Sequence, residues 1–110
     1  MDRKDMASAY HKRGFNCAQS VALPFSKELG LEPDLITRAM EGFGGGMGGY
    51  DLTCGALSGV VFVASTAFSG GNHENGPKDK RATYALIKEL VNRFREMCGD
   101  DNCKVIRGIE

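Results

Sequence analysis

The sequence is short of cysteine, of net charge and of uninterrupted apolar length. Cysteine supplies 4 of 110 residues, well below the roughly 8–10% that marks a disulfide-stapled scaffold. The chain therefore has to bury an ordinary core, and its thiols are free for chemistry. Lys+Arg and Asp+Glu number 14 each, for a formal net charge of zero. No global positive field exists to hold nucleic acid or an anionic membrane, and neither is expected as a partner. The stretch Leu52 to His73 lacks Asp, Glu, Lys and Arg, but Thr53, Ser58, Ser65, Thr66 and Ser69 interrupt it. A membrane span needs about 20 predominantly apolar residues, so a buried helix is the better reading. No apolar leader follows the charged opening Met1-Asp2-Arg3-Lys4-Asp5-Met6. A cytoplasmic location is expected, where thiols stay reduced.

What is present is helical periodicity and glycine. Hydrophobic residues make up 42% and charged residues 25%, the proportions of a folded chain rather than a disordered one. A first helix is predicted over Asp2–Lys12, ending at Gly14. A second opens at Asn16, a strong N-cap with Gln19 at the capping-box position. Pro24 should kink it, and Gly30 stops it. Pro33 suits the first position of a third helix running to Glu41. A fourth is predicted over Thr53–Phe68, where Gly55, Ala56 and Gly59 would admit another backbone at close range. The fifth and longest runs from Pro77 to Cys98 on the stripe Ile87, Leu90, Val91, Phe94, Met97, Cys98. Asp101 or Asn102 can cap a short last turn through Ile106. No segment alternates convincingly with period two. The predicted fold is all-α: one domain over residues 1–110, a compact bundle of about five helices with a Gly-rich loop before the central one.

Three of the four cysteines share one kind of place. Cys17 follows the cap Asn16, Cys54 follows Thr53, and Cys103 follows Asn102, so each falls in a predicted first helical turn. Unpaired N–H groups there favour a negative charge, and the thiolate is the nucleophile and metal ligand. Cys98 lies on the apolar stripe of the fifth helix and reads first as core. Its spacing from Cys103 keeps it a candidate, because a turn at Gly99 could bring the two sulfurs together.

Cys54-Gly55-Ala56-Leu57-Ser58-Gly59 matches the CGAxxG motif of the C_GCAxxG_C_C family of redox-active proteins. Gly14-Phe15-Asn16-Cys17-Ala18-Gln19-Ser20 resembles that family's first cysteine block, and Gly42-Phe43-Gly44-Gly45-Gly46-Met47 its glycine block. Asn102-Cys103-Lys104 with Gly108 resembles its third cysteine block. The four blocks occur in order over nearly the whole chain. Two departures stand out: the family's fourth cysteine lies beyond the third, where this chain has none, and Pro24 falls in a helix that relatives keep free of proline. The resemblance implies redox activity through the cysteines. Some relatives occur in split-Soret-type cytochromes, a loose link to iron and electron transfer, although no Cys-x-x-Cys-His is present for covalent haem attachment.

The run Gly44-Gly45-Gly46-Met47-Gly48-Gly49 satisfies G-x-G-x-x-G but follows a helix, not a strand, so it is no dinucleotide fingerprint. Its bland role is a tight backbone crossing. Its functional role would be one wall of the cysteine site, with Gly44, Gly45 and Gly46 letting N–H groups approach a sulfur, a cluster or an anion. His11 and His73 read as solvated surface residues, and the methionines as packing residues. The expected function is thiol–disulfide exchange or electron transfer by Cys17, Cys54 and Cys103, with Cys54 as the attacking thiolate. The alternative is an iron–sulfur or zinc module with Cys17, Cys54, Cys98 and Cys103 as ligands. A redox partner protein is implied, and the apolar, Gly-rich segments suggest a homodimer. A third reading is an assembly domain with inert buried thiols.

Overall fold

A computed structural model describes residues 2–69 and 76–102. Those residues are helical, with no strand among them beyond one isolated bridge. The fold is all-α. Helix α1 spans Arg3–Lys12 and is capped by Asp2, whose carboxylate accepts the Asp5 N–H at 2.8 Å. Helix α2 spans Cys17–Ala22 behind the cap Asn16, and the capping box with Gln19 is complete. Pro24 does more than kink the next segment. It sits in a 3-10 turn, Leu23–Phe25, before a single turn α3, Ser26–Leu29. A proline has no N–H to continue the α ladder, so the chain tightens there and then resumes. Gly30 closes α3 at φ +67° while the Leu31 N–H reaches the Ser26 carbonyl, a Schellman stop. Helix α4, Pro33–Glu41, opens on proline, as expected from the suitability of Pro33 for a first helical position.

The glycine block holds one short turn, α5, Gly44–Met47. It is not regular helix. Gly45, Gly46, Met47, Gly48 and Gly49 all have positive φ, between +63° and +89°. A left-handed run costs an L-residue roughly 1–2 kcal/mol per position, which explains why four of these five residues are glycine. Helix α6, Gly55–Phe68, and helix α7, Gly76–Cys98, follow. No helix among the described residues is long and apolar enough to cross a membrane.

The core is small and sits where α2, α4 and α6 meet. Ala18, Ala22, Leu23, Ile36, Met40 and Leu57 are buried, with Tyr10, Phe15, Leu31, Phe43, Phe62 and Val63 packed around them. Helix α6 packs against both α2 and α7. Its buried positions are Gly55, Leu57 and Gly59. Two of these three lack a side chain because α2 lies almost in contact with the α6 backbone. A Cβ on Gly59 would stand 2.9 Å from the Ala18 carbonyl oxygen and 3.0 Å from Val21 Cβ. Of the apolar stripe predicted on α7, Met97 is 85% exposed. It is exposed although Cys98, the next residue and the end of the helix, is half-buried. Met47 is partly exposed as well, so only Met40 among these methionines is core.

The Gly59 contact sets a clear expectation. Alanine is the better helix former by about 1 kcal/mol, but overpacking against a backbone carbonyl costs typically 1–3 kcal/mol. Gly59→Ala should therefore destabilise the fold, lowering the melting temperature by roughly 5 °C. Gly42→Ala, where a Cβ meets open space, should not. Thermal denaturation followed by circular dichroism compares them.

Candidate functional site

Asn16 and Gln19 build the first wall of the site. The Asn16 N–H donates to Gln19 Oε1 at 2.9 Å, and Asn16 Oδ1 accepts the Gln19 N–H at 2.8 Å. Their remaining donors reach across to α4. Asn16 Nδ2 donates to the Glu41 carbonyl at 3.0 Å and the Met40 carbonyl at 3.5 Å, and Gln19 Nε2 to the Thr37 carbonyl at 2.8 Å. The last carbonyls of a helix have no partner within it. One pair of side chains thus caps the start of α2 and the end of α4 together, and it fixes Cys17, the first residue of α2.

Gly44 lies directly on Asn16: a Cβ there would fall 2.6 Å from Asn16 Nδ2 and 2.8 Å from its Cβ. The left-handed run then folds back on itself. The carbonyls of Gly44, Gly45 and Gly46 accept the N–H groups of Gly49, Asp51 and Leu52 at 3.1, 3.0 and 3.0 Å. This self-satisfied loop leads into Cys54.

Cys54 was expected in the first turn of its helix and stands one position earlier, as the N-cap of α6 with no side-chain cap hydrogen bond. Thr53, the expected cap, is instead paired in an antiparallel bridge with Asn102. That pairing draws the Cys54 N–H onto the Asp101 carbonyl at 2.7 Å. The next residue, Gly55, faces Cys17: a Cβ on Gly55 would collide with Cys17 Sγ and lie 2.9 Å from the Phe43 carbonyl oxygen. The first two cysteine blocks and the glycine block therefore meet at Gly55. Cys17, Cys54 and Cys98 are free thiols, each half-buried. Cys98 ends α7. Cys103, the short helix expected after Asn102, and His73 lie outside the described residues. Among the described residues, no three or more His, Cys, Asp or Glu side chains are grouped so as to hold a metal ion.

The turn expected at Gly99 is present, and a residue not singled out in the sequence shapes it: the Asp100 carboxylate accepts the Asp101 N–H at 2.7 Å and the Asn102 N–H at 2.9 Å. Arg95 Nε anchors it to α7 by donating to Asp101 Oδ2 at 2.7 Å. The cue was present in the sequence: an Asp two residues before the ordered N–H is the pattern of an Asx turn. Gly99, at φ +83°, makes the reversal possible.

Helices, glycine loop and Asx turn together define an all-α protein built around cysteines at helix starts. A model of the family described as "Putative redox-active protein (C_GCAxxG_C_C)" matches residues 15–110, and the chain belongs to that family. The family label orders its middle block Gly-Cys-Ala, whereas this chain has Cys54 ahead of Gly55. No match was found among curated proteins, and none among solved structures.

The Asx turn is a pH-dependent element. The Asn102 N–H foremost, then the Asp101 N–H, holds the Asp100 carboxyl below its ordinary 3.8. A carboxylate with a lowered folded value contributes stability that is complete above about 3.8 and lost as pH falls through the lower value. Wild type should lose this contribution as pH falls below about 3.8, and Asp100→Asn should not show that component. Urea midpoints of the two proteins at about pH 5 and at successively lower pH measure it.

Proposed function

We propose that this protein carries out two-electron thiol–disulfide exchange at the junction of α2 and α6. The observation that carries the reading is the contact of Cys17 Sγ with Gly55, the residue next to Cys54. A second thiol held at the doorstep of the first is what an exchange reaction needs. Cys54 is the attacking group. As a thiolate it attacks one sulfur of a substrate disulfide, forming a mixed disulfide and releasing one substrate thiolate, which takes up a proton. A resolving thiolate then attacks Cys54 Sγ, forms an intramolecular disulfide and releases the second substrate thiolate. The substrate gains two electrons and two protons; the protein loses them and is recharged by a dithiol reductant.

Two cysteines are candidate resolvers. Cys17 lies across Gly55. Cys103, outside the described residues, follows in sequence Asn102, which is bridged to Thr53. The glycine loop serves this chemistry by positioning. It joins Asn16 to the start of α6 without side chains that would push the two cysteine-bearing helix starts apart. The partner is another protein carrying a disulfide or dithiol, and the compartment is a reducing one.

The test is anaerobic purification followed by a visible spectrum, iron and zinc determination, and thiol counting before and after reductant. A colourless, metal-free protein that gains two thiols on reduction is expected, and Cys54→Ser should abolish the gain. Peptide mapping of the oxidised form names the resolver. Stoichiometric iron with visible absorption, or stoichiometric zinc, would replace exchange by metal ligation, since thiolates suit both metals. Thiols that never react would leave a packing role. Gly55→Ala supplies a further check. The added methyl has to displace Cys17 Sγ, so the rate of disulfide formation should fall at least tenfold if Cys17 resolves. It should stay near the wild-type value if Cys103 does.

A further inference from the structure

The starts of α2 and α6 meet one requirement in different ways. At α2 the N–H of the cap residue Asn16 is received within its own turn, by the side chain of Gln19 three positions on. At α6 the cap is Cys54 and the residue three positions on is Leu57, whose side chain has no acceptor to offer. The Cys54 N–H is received instead by the Asp101 carbonyl at 2.7 Å. The cap of α6 is therefore completed from the turn after α7, and it depends on where that turn holds its carbonyl.

Arg95, in the last turn of α7, grips both ends of that turn. Its backbone carbonyl accepts the Gly99 N–H at 2.7 Å, where the chain reverses, and its Nε donates to Asp101 Oδ2 at 2.7 Å. The Arg95 and Asp101 side chains are 56% and 28% exposed, so their pair adds little to global stability. Its consequence is local. We propose that Arg95 is a positioning residue for Cys54, acting through Asp101 to hold the cysteine as the N-cap of α6 and its sulfur in one geometry. The effect on disulfide formation rests on the exchange reading above; the hold on Cys54 does not. Releasing Cys54 has two effects of opposite sign. The thiol, half-buried in the native structure, becomes easier for an outside reagent to reach. The step between two protein thiols becomes slower, because it needs both sulfurs held in a reacting geometry.

The experiment uses Arg95→Met, which removes the donor and the charge at nearly equal helix propensity, and Arg95→Lys, which keeps a charged donor. Iodoacetamide alkylation of the fully reduced protein is followed at each cysteine by peptide mass spectrometry. In Arg95→Met, Cys54 should react about threefold faster or more, while Cys17 keeps its wild-type rate. Arg95→Lys should return Cys54 toward the wild-type rate. Asp101→Ala should reproduce Arg95→Met, and the double variant should react no faster than either single one, because the two residues act in series. Disulfide formation with a small disulfide as oxidant, which leaves as two thiols, should slow about threefold or more in Arg95→Met. Three results would overturn the proposal. Cys54 could be alkylated at the wild-type rate in Arg95→Met. It could be alkylated more slowly, which assigns Arg95 a direct charge effect on the thiolate. Or Cys17 could accelerate equally, which marks a general loosening of the fold. A wild-type protein that forms no disulfide refutes the exchange reading alone, since the alkylation rates still decide the role of Arg95.

Discussion

The near-contact of α2 with the backbone of α6 is the constraint on which this structure depends. Gly55 and Gly59, one helical turn apart, remove the side chains that would separate the helices, so Cys17, Ala18 and Val21 lie against bare backbone. Gly59, inside the helix, costs it about 1 kcal/mol relative to alanine. The return is a core that closes with few large side chains, and a Cys17 sulfur placed beside the residue after Cys54. Stability and candidate chemistry thus come from the same contact.

Two polar devices hold that contact in place from either side. Asn16 and Gln19 tie the start of α2 to the end of α4, and the left-handed glycine run carries the chain from there to Cys54. On the other side, Asp100 and Arg95 shape the turn after α7 so that Asp101 receives the Cys54 N–H. Cys54 is thereby approached by three separated parts of the chain. A redox thiol needs its partner at a fixed distance, and rigid elements supply that better than loops.

Much of this was legible in the residues. The capping box at Asn16 and Gln19, the stop at Gly30, the start at Pro33 and the close approach at Gly55 and Gly59 all follow from local chemistry, and the structure has them. Other points were displaced. Cys54 moved from first turn to N-cap because Thr53 was drawn into a bridge with a residue far along the chain, and no local propensity reports such a pairing. Met97 fits the apolar stripe of α7 by spacing, yet it stands exposed while Cys98 beside it is half-buried: periodicity marks a face and not how wide a part of it is covered.

The sequence by itself determined that the chain is helical, where most helices start and stop, and that three cysteines follow potential caps, since each of these depends on residues within a few positions of one another. Tertiary structure alone decided that the glycine block borders Asn16, that Cys17 Sγ rests on Gly55, and that the turn after Cys98 returns to Thr53 and Cys54. Those placements join residues tens of positions apart. They are set by which helix faces can come close enough to pack and which orphaned carbonyls and N–H groups find partners there. The shortage of cysteine that first excluded a stapled scaffold thus has its counterpart in space: two free thiols at one glycine-lined crossing of helices.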